Sequence, residues 1–439
     1  MASRVVCSWG NVICAPHLIY GLHSRYDRFP ERPAPGVTLL PFGNGRSYGD
    51  SCLNVGGGLI ETRALDRFIS FDRDTGVLAC EAGVLLLDIL RLAVPAGWFL
   101  SVVPGTCYAT VGGAIANDVH GKNHHRAGSF GRHVRRFELL RSDGMRLTCS
   151  PTTNSEWFAA TVGGLGLTGI VTWAELQLRP IQGPCMDVES IRFANLQEFF
   201  ALSAQAENRY EYTVAWIDCL SRGKQLGRGI LECANHAPDM APAGLPSERT
   251  MAVPFSLPVS LVNTVSLRIF NTLYYYRQRG RVKHRKDYFQ RFFFPLDRIL
   301  HWNRLYGRAG FYQYQCVVPQ AVAQQATAEL LETIARSGLG SFLAVLKCFG
   351  SPASPGMLSF PREGVTLALD FPNRGAALER LFEALDRIVS AAGGTLYPAK
   401  DGRMPGTLFR SGYPRWQKFS QYIDPACSSS FWRRVTQNA

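Results

Sequence analysis

The stretch Pro41-Phe42-Gly43-Asn44-Gly45-Arg46-Ser47-Tyr48-Gly49-Asp50 packs three glycines into seven positions. Glycine admits positive φ and close backbone approach, so successive N–H groups in such a loop form a concave nest suited to a pyrophosphate. Arg46 and Ser47 add side-chain donors. A tight turn between two strands accounts for the same residues, and the loop alone does not choose between these readings.

Two further glycine-rich stretches lie downstream. Gly164-Leu-Gly-Leu-Thr-Gly169 has the spacing of a dinucleotide fingerprint. That fingerprint acts where a strand precedes it and a helix follows, so that the helix N-terminus meets the phosphates. Here residues 157–162 read as helix and residues 170–178 alternate as a strand, which excludes a nicotinamide-type Rossmann domain at this place. The other stretch spans residues 104–125. Its segment Thr110-Val111-Gly112-Gly113-Ala114-Ile115-Ala116 lets backbone lie against a flat or phosphorylated ligand, and Asn117, His120, Lys122, Asn123, His124 and His125 follow. Such a histidine cluster serves as hydrogen-bonded structure, as a surface loop or as metal ligands. Acidic partners are missing, so no metal is assigned.

The whole chain has 439 residues, 46% of them hydrophobic and 11% aromatic, which excludes disorder and favours two domains over one. Lys and Arg number 47 against 34 Asp and Glu, and the resulting +13 favours an anionic partner: phosphates, a phosphorylated substrate, an anionic lipid surface or nucleic acid. The twelve cysteines form no CxxC pair and read as reduced thiols. Residues 1–10 lack a basic stretch followed by an apolar run, so no signal peptide is expected and the chain reads as cytoplasmic. The longest apolar stretch, residues 251–276, is broken by Pro254, Pro258, Asn263, Arg268 and Asn271, which rules against a membrane span.

Residues 1–182 read as short strands and helices between glycine loops, a mixed α/β unit. Within it, residues 76–81 read as a strand, 84–94 as a helix stopped by Pro95 and Gly97, and 137–147 as a hairpin turning at Asp143-Gly144. Glycine loops then thin out over residues 183–394. Amphipathic helices at 321–336 and 376–392 neighbour strand-like runs at 342–349 and 365–371, giving a sheet covered by helices. Residues 395–439 turn glycine-, aromatic- and arginine-rich again and are expected to return to the first unit.

The three glycine loops in this order closely resemble the FAD-binding domain of the vanillyl-alcohol oxidase and p-cresol methylhydroxylase superfamily. Within it, Gly45-Arg-Ser-Tyr-Gly-Asp50, His120-Gly-Lys-Asn-His-His125, Ala215-Trp-Ile-Asp218, Gly310-Phe-Tyr-Gln-Tyr-Gln315, Val345-Leu-Lys347 and Tyr397-Pro-Ala-Lys-Asp401 resemble the polyprenylphosphoryl-pentose 2′-oxidase branch. The resemblance implies an α+β fold. Its p-cresol methylhydroxylase-type FAD domain would consist of two α/β subdomains, split between residues 1–182 and 395–439. The inserted substrate domain would rest on an antiparallel sheet covered by helices.

It further implies flavin contacts at Pro41, Phe42, Gly43, Asn44, Gly45, Arg46, Ser47, Tyr48, Gly49, Asp50, Ser51, Gly105, Thr110, Val111, Gly112, Gly113, Asn117, Asp118, Val119, His120, Val171 and Tyr397. Arg46 stands where several members carry the histidine that bonds flavin, so noncovalent FAD is expected; Cys107 is the alternative attachment point. The implied reaction takes hydride from a sugar carbinol carbon while a protein group accepts the hydroxyl proton, with Lys400 or His120 as that acceptor.

Gln313 and Gln315 alternate with Tyr312 and Tyr314 and so share one strand face, where they would bind sugar hydroxyls beside Lys122, Trp216, Lys347, Phe349 and Lys400. The product would be the keto half-way point of an epimerisation on the route to a cell-wall arabinan precursor, completed by a short-chain-type reductase partner. The basic run Arg277, Arg279, Arg281, Lys283, Arg285, Lys286, flanked by aromatics, suits peripheral contact with an anionic membrane, nucleic acid, or a solvated loop. With a lipid-linked substrate the membrane reading gains and nucleic acid is not expected. Two rival functions remain: a soluble aldose, alditol or aldonolactone oxidase, and a basic nucleic-acid-binding protein.

Overall fold

The computed structural model describes residues 2–32, 34–238, 251–255, 260 and 262–437. Helices and mostly antiparallel sheets are mixed along the chain, an α+β arrangement. The first sheet has four strands, in spatial order Ala2–Cys7, Cys14–Gly21, Gly58–Glu61 and Leu39–Phe42. The last two pairings are parallel, and the glycine loop after Leu39–Phe42 meets the loop before Val111 where Asn44 Nδ2 donates to Tyr108 O at 2.8 Å.

The six-stranded second sheet centres on Ile170–Pro180, whose residues alternate between buried and half-buried as its apolar/polar pattern requires. Val77–Glu81 and Val134–Leu140 flank it. The hairpin of Val134–Leu140 with Arg146–Cys149 turns at Asp143-Gly144, with Gly144 at φ +86. Helix Leu86–Ala93 ends against Pro95 and Gly97, the latter at φ +80. Around the fingerprint-like glycines, helix Ser155–Thr161 comes before and strand Ile170–Pro180 after, the opposite of a dinucleotide motif.

Eight antiparallel strands form the third sheet. Helices Leu196–Arg209, Ala323–Ser337 and Ala376–Ala391 pack on it. In Ala376–Ala391 the buried set Leu378, Leu381, Phe382, Leu385, Ile388 and Val389 recurs at helical spacing. Along strand Phe311–Val318, Tyr314 faces Phe382 on the helix-covered side with ring centroids 5.4 Å apart, which turns Gln313 and Gln315 to the other face.

Thr395–Leu396, assigned by sequence to the returning tail, is the edge strand of this sheet beside Phe311–Val318. Beyond it the chain crosses back: Leu39 accepts from Ser428 N and donates to Ala426 O. Arg434, on helix Ser430–Gln437, binds Asp50 at 2.7 and 2.8 Å and Asp401 at 2.9 Å. The two carboxylates are buried together, so loss of Arg434 would leave like charges unpaired, at a cost of about 3–5 kcal/mol.

The expectation of reduced thiols fails at one place. Cys7 and Cys14 are seven residues apart, but the hairpin of the first two strands makes them direct partners with Cα atoms 4.1 Å apart, and they are disulfide-bonded. The other ten cysteines form no disulfide among the described residues. No helix among the described residues is long and apolar enough to cross a membrane.

Candidate active site

The glycine loops and the uncovered face of the eight-stranded sheet enclose a cavity of about 550 Å³, within the usual range for a small-molecule site. Its loop side is stitched by backbone. Tyr48 N donates to Ala399 O at 2.9 Å, and Trp9 N to Ser47 O at 2.9 Å. A Cβ on Gly49 would stand 1.8 Å from Asp401 O, so only glycine lets the first loop meet the returning tail. In the second loop Thr110 caps the short helix Val111–Ala116 by accepting from Gly113 N at 3.1 Å, and Gly112 N donates to Ala82 O at 2.8 Å. Leu165 N donates to Ala116 O, which brings the rejected fingerprint loop into the same wall through Leu165, Gly166 and Gly169.

The wall is built to take a large polar ligand. A Cβ on Gly105 would meet nothing within 4 Å and would point into open space, while Ser51 Oγ and Arg46 Nε are buried there without a hydrogen-bond partner among the described residues. Bare backbone and unspent donors are what an FAD with its pyrophosphate and ring carbonyls requires. Of the residues expected to touch it, Pro41, Gly43, Asn44, Gly45, Arg46, Ser47, Tyr48, Ser51, Gly105, Thr110, Gly112, Gly113, Asn117, Val119, His120, Val171 and Tyr397 line the cavity.

Phe42, Gly49, Asp50, Val111 and Asp118 lie outside this lining. Phe42 and Val111 turn into core, and Asp50 is taken by Arg434. Asp118, at φ +39, accepts from Gly131 N at 2.8 Å and from Ser359 Oγ, so it ties two loops together. Cys107 is likewise outside the lining. Its N–H and thiol both donate to Asp297, at 2.8 and 3.1 Å, and burial beside that carboxylate pushes the thiol pKa up. The Arg46 guanidinium stacks on Trp9, 4.2 Å from the ring centroid.

On the sheet side, Trp216, Gln313, Gln315 and Lys347 line the cavity. Lys347 Nζ stands 3.2 Å from His120 Nδ1, and the Gln315 amide 2.9 Å from His120 Nε2. Gln315 Nε2 also donates to Thr366 Oγ1 at 3.2 Å, so its amide NH2 is shared between the His120 ring and that hydroxyl. Phe349 does not reach the lining; it packs on the His120 ring at 4.8 Å. Lys122 lines the wall but its ammonium is held on the Phe292 carbonyl and ring. Gln313 Nε2 donates to Asp370 Oδ1 at 2.5 Å, leaving Asp370 Oδ2 buried and unpartnered among the described residues. Lys400 Nζ lies 3.8 Å from the Tyr48 ring centroid.

These cations are crowded and dry. Burial, aided by Lys122 and Lys400, lowers Lys347 to about 7. Burial lowers Lys122 to about 8. Burial and then Lys347 hold His120 well below its ordinary value, so the ring is neutral. Lys400 is also lowered by burial, opposed by Asp370, whose own carboxyl burial raises. Asp370 drew no sequence assignment as a site residue, and neither did the wall from Leu296 to Trp302; only the register opposite Gln313 marks the former.

A glycine-walled cavity joined to an antiparallel sheet carrying lysine and glutamine defines a flavin-dependent oxidoreductase, and a family described as FAD binding domain matches residues 33–150. The Mycolicibacterium smegmatis protein named decaprenylphosphoryl-beta-D-ribose oxidase is 38% identical over 403 residues, 89% of this chain and 87% of that one. A Streptomyces coelicolor protein, named as uncharacterized, is 35% identical over 78% of this chain and 96% of its own. Cytokinin dehydrogenase 8 of Oryza sativa is 31% identical over 34% of this chain and 30% of its own. The chain belongs to the FAD-dependent oxidoreductase family of the M. smegmatis protein.

Proposed function

We propose that this enzyme oxidises the 2′-hydroxyl of a polyprenylphosphoryl pentose to a ketone, as the first half of an epimerisation that a separate reductase completes. Two small α/β subdomains, residues 1–182 with the tail from Tyr397, hold noncovalent FAD. Residues 183–394 bind the sugar. The enzyme works in the cytoplasm at an anionic membrane surface, which the exposed Arg277, Arg279 and Lys283 of the basic run contact.

The observation that carries this reading is the Lys400 amine, which lines the shared cavity free of hydrogen bonds among the described residues, is held over Tyr48 and feels the buried Asp370 carboxylate. When bound, FAD supplies the two-electron acceptor for the hydride that leaves the carbinol carbon. The hydroxyl proton goes to Lys400 Nζ. Burial keeps a fraction of that amine neutral, and the ammonium formed by the transfer is balanced by the Asp370 carboxylate. His120 cannot easily take the same proton, because both ring nitrogens are engaged by Lys347 and Gln315. It positions those two side chains instead. Gln313, Gln315 and Trp216 orient the pentose, and the walls exclude water. Incubation of the enzyme with a polyprenylphosphoryl pentose and an electron acceptor tests this: mass spectrometry should find a product lacking two hydrogens, and oxidation of free pentoses alone would contradict it.

A further inference from the structure

Helix Thr264–Tyr276 is inside out. The side turned to the protein carries Leu267, Asn271 and Tyr275, with Asn271 fully buried and donating to Asp218 at 2.9 Å. The opposite side carries Val265, Ile269, Leu273 and Tyr276, at 67, 57, 66 and 53% exposure. These four recur at i, i+4, i+8 and i+11, one continuous stripe, where a helix on a soluble surface presents polar residues. Phe270 flanks the stripe, also exposed.

The stripe is ringed by positive charge. Arg268 lies on the helix, and Arg277, Arg279 and Lys283 follow it, all exposed. Arg277 stacks on Tyr274, while Arg281 and Arg285 are spent on Glu198, Glu232 and Asp287. Tyr274, on the same helix, lines the catalytic cavity and packs on Trp216 with ring centroids 4.5 Å apart. A second exposed apolar element also abuts that cavity: Met251, at 68%, belongs to a strand paired with Ile299–Leu300, which line the wall.

We propose that helix Thr264–Tyr276 lies in the plane of an anionic membrane, with Val265, Ile269, Leu273 and Tyr276 sunk among the acyl chains, and that the lipid tail of the substrate passes to the cavity at the Tyr274 corner. An apolar stripe with a cationic border is the design of an interfacial helix. A second copy of this chain would not explain the border, because like charges would face each other across the interface. The delivery role rests on the lipid-linked substrate reading; the docking does not.

The test is vesicle flotation of the holoenzyme with phosphatidylcholine containing phosphatidylglycerol, at low and raised salt. Ile269→Ser/Leu273→Ser changes only exposed side chains, so flavin content should stay normal. The expected result is roughly tenfold or more weaker partition at both salt concentrations, whereas Arg277→Ala/Arg279→Ala should weaken binding mainly at low salt. Hydrogen exchange supplies a second readout: backbone amides of residues 264–276 should slow when vesicles are added to the wild type. Unchanged flotation of the serine variant at raised salt, or unchanged exchange, would overturn the proposal. So would conversion of a dimer to a monomer by the serine variant with flotation intact. If the serine variant loses flotation but the enzyme oxidises no lipid-linked pentose, the docking stands and the assigned substrate falls.

Discussion

Lys400 Nζ sits 3.8 Å from the centre of the Tyr48 ring, so an amine from the C-terminal return closes over an aromatic from the first glycine loop. The hydrogen bond from Tyr48 N to Ala399 O fixes that approach, and Arg434 clamps the same two segments through Asp50 and Asp401. The cavity is therefore complete only when the chain's two ends meet, with the sheet between them supplying the other wall.

If Lys400 accepts the hydroxyl proton, Lys400→Met should leave the flavin bound and its spectrum nearly unchanged. The rate of flavin reduction by substrate, read by stopped-flow absorbance, should fall by about 10²–10⁴-fold. His120→Asn should cost less. A larger loss at His120 would reverse the two roles.

The pH dependence follows from the pair. Transfer needs neutral Lys400, so the reduction rate should rise with pH through the lowered Lys400 pKa and then level off. Asp370 raises that pKa, so Asp370→Asn lets it fall further and moves the rising limb to lower pH. A limb that stays put or moves upward would separate Asp370 from the base.

Gly105 distinguishes binding from folding. A Cβ there would meet nothing within 4 Å beyond its chain neighbours, and Gly105 carries no positive φ, so Gly105→Val should fold with a melting temperature close to that of the wild-type apoprotein. It should nevertheless lose FAD affinity, read by fluorescence titration, because the added methyls enter the ligand's space. Normal FAD uptake would place the cofactor elsewhere.

Noncovalent attachment predicts that acid precipitation leaves the flavin in the supernatant. Cys107 is turned onto Asp297 and Arg46 onto Trp9, so neither is free to bond it. Yellow protein pellets would contradict this.

What could be read in the sequence were the places where backbone chemistry is local. The loop at Gly43–Gly49 needs glycine because of its close neighbours, and the strand Ile170–Pro180 announces itself by alternation. Gln313 and Gln315 were separable from Tyr312 and Tyr314 by the same period of two. Polar residues within a motif were harder. Asp50 and Asp118 sit in the motif loops, and their bonds to Arg434, Gly131 and Ser359 depend on tertiary packing that the motif does not show. Asp370 escaped notice for the converse reason: its importance lies in an unpartnered oxygen and a lysine that is adjacent in space and distant in the chain. Cys7 and Cys14 carry no motif at all, and their bond depends on hairpin register.

The central claim, that FAD lies between the glycine loops and the sheet with a lipid-linked pentose against it, is tested most directly by anaerobic titration of the purified yellow enzyme. Stoichiometric bleaching of the flavin band by a polyprenylphosphoryl pentose, with free pentoses, alditols and aldonolactones leaving it unchanged, is the predicted result. Protein that is colourless and takes up no added FAD, or flavin bleached only by free sugars, would contradict it.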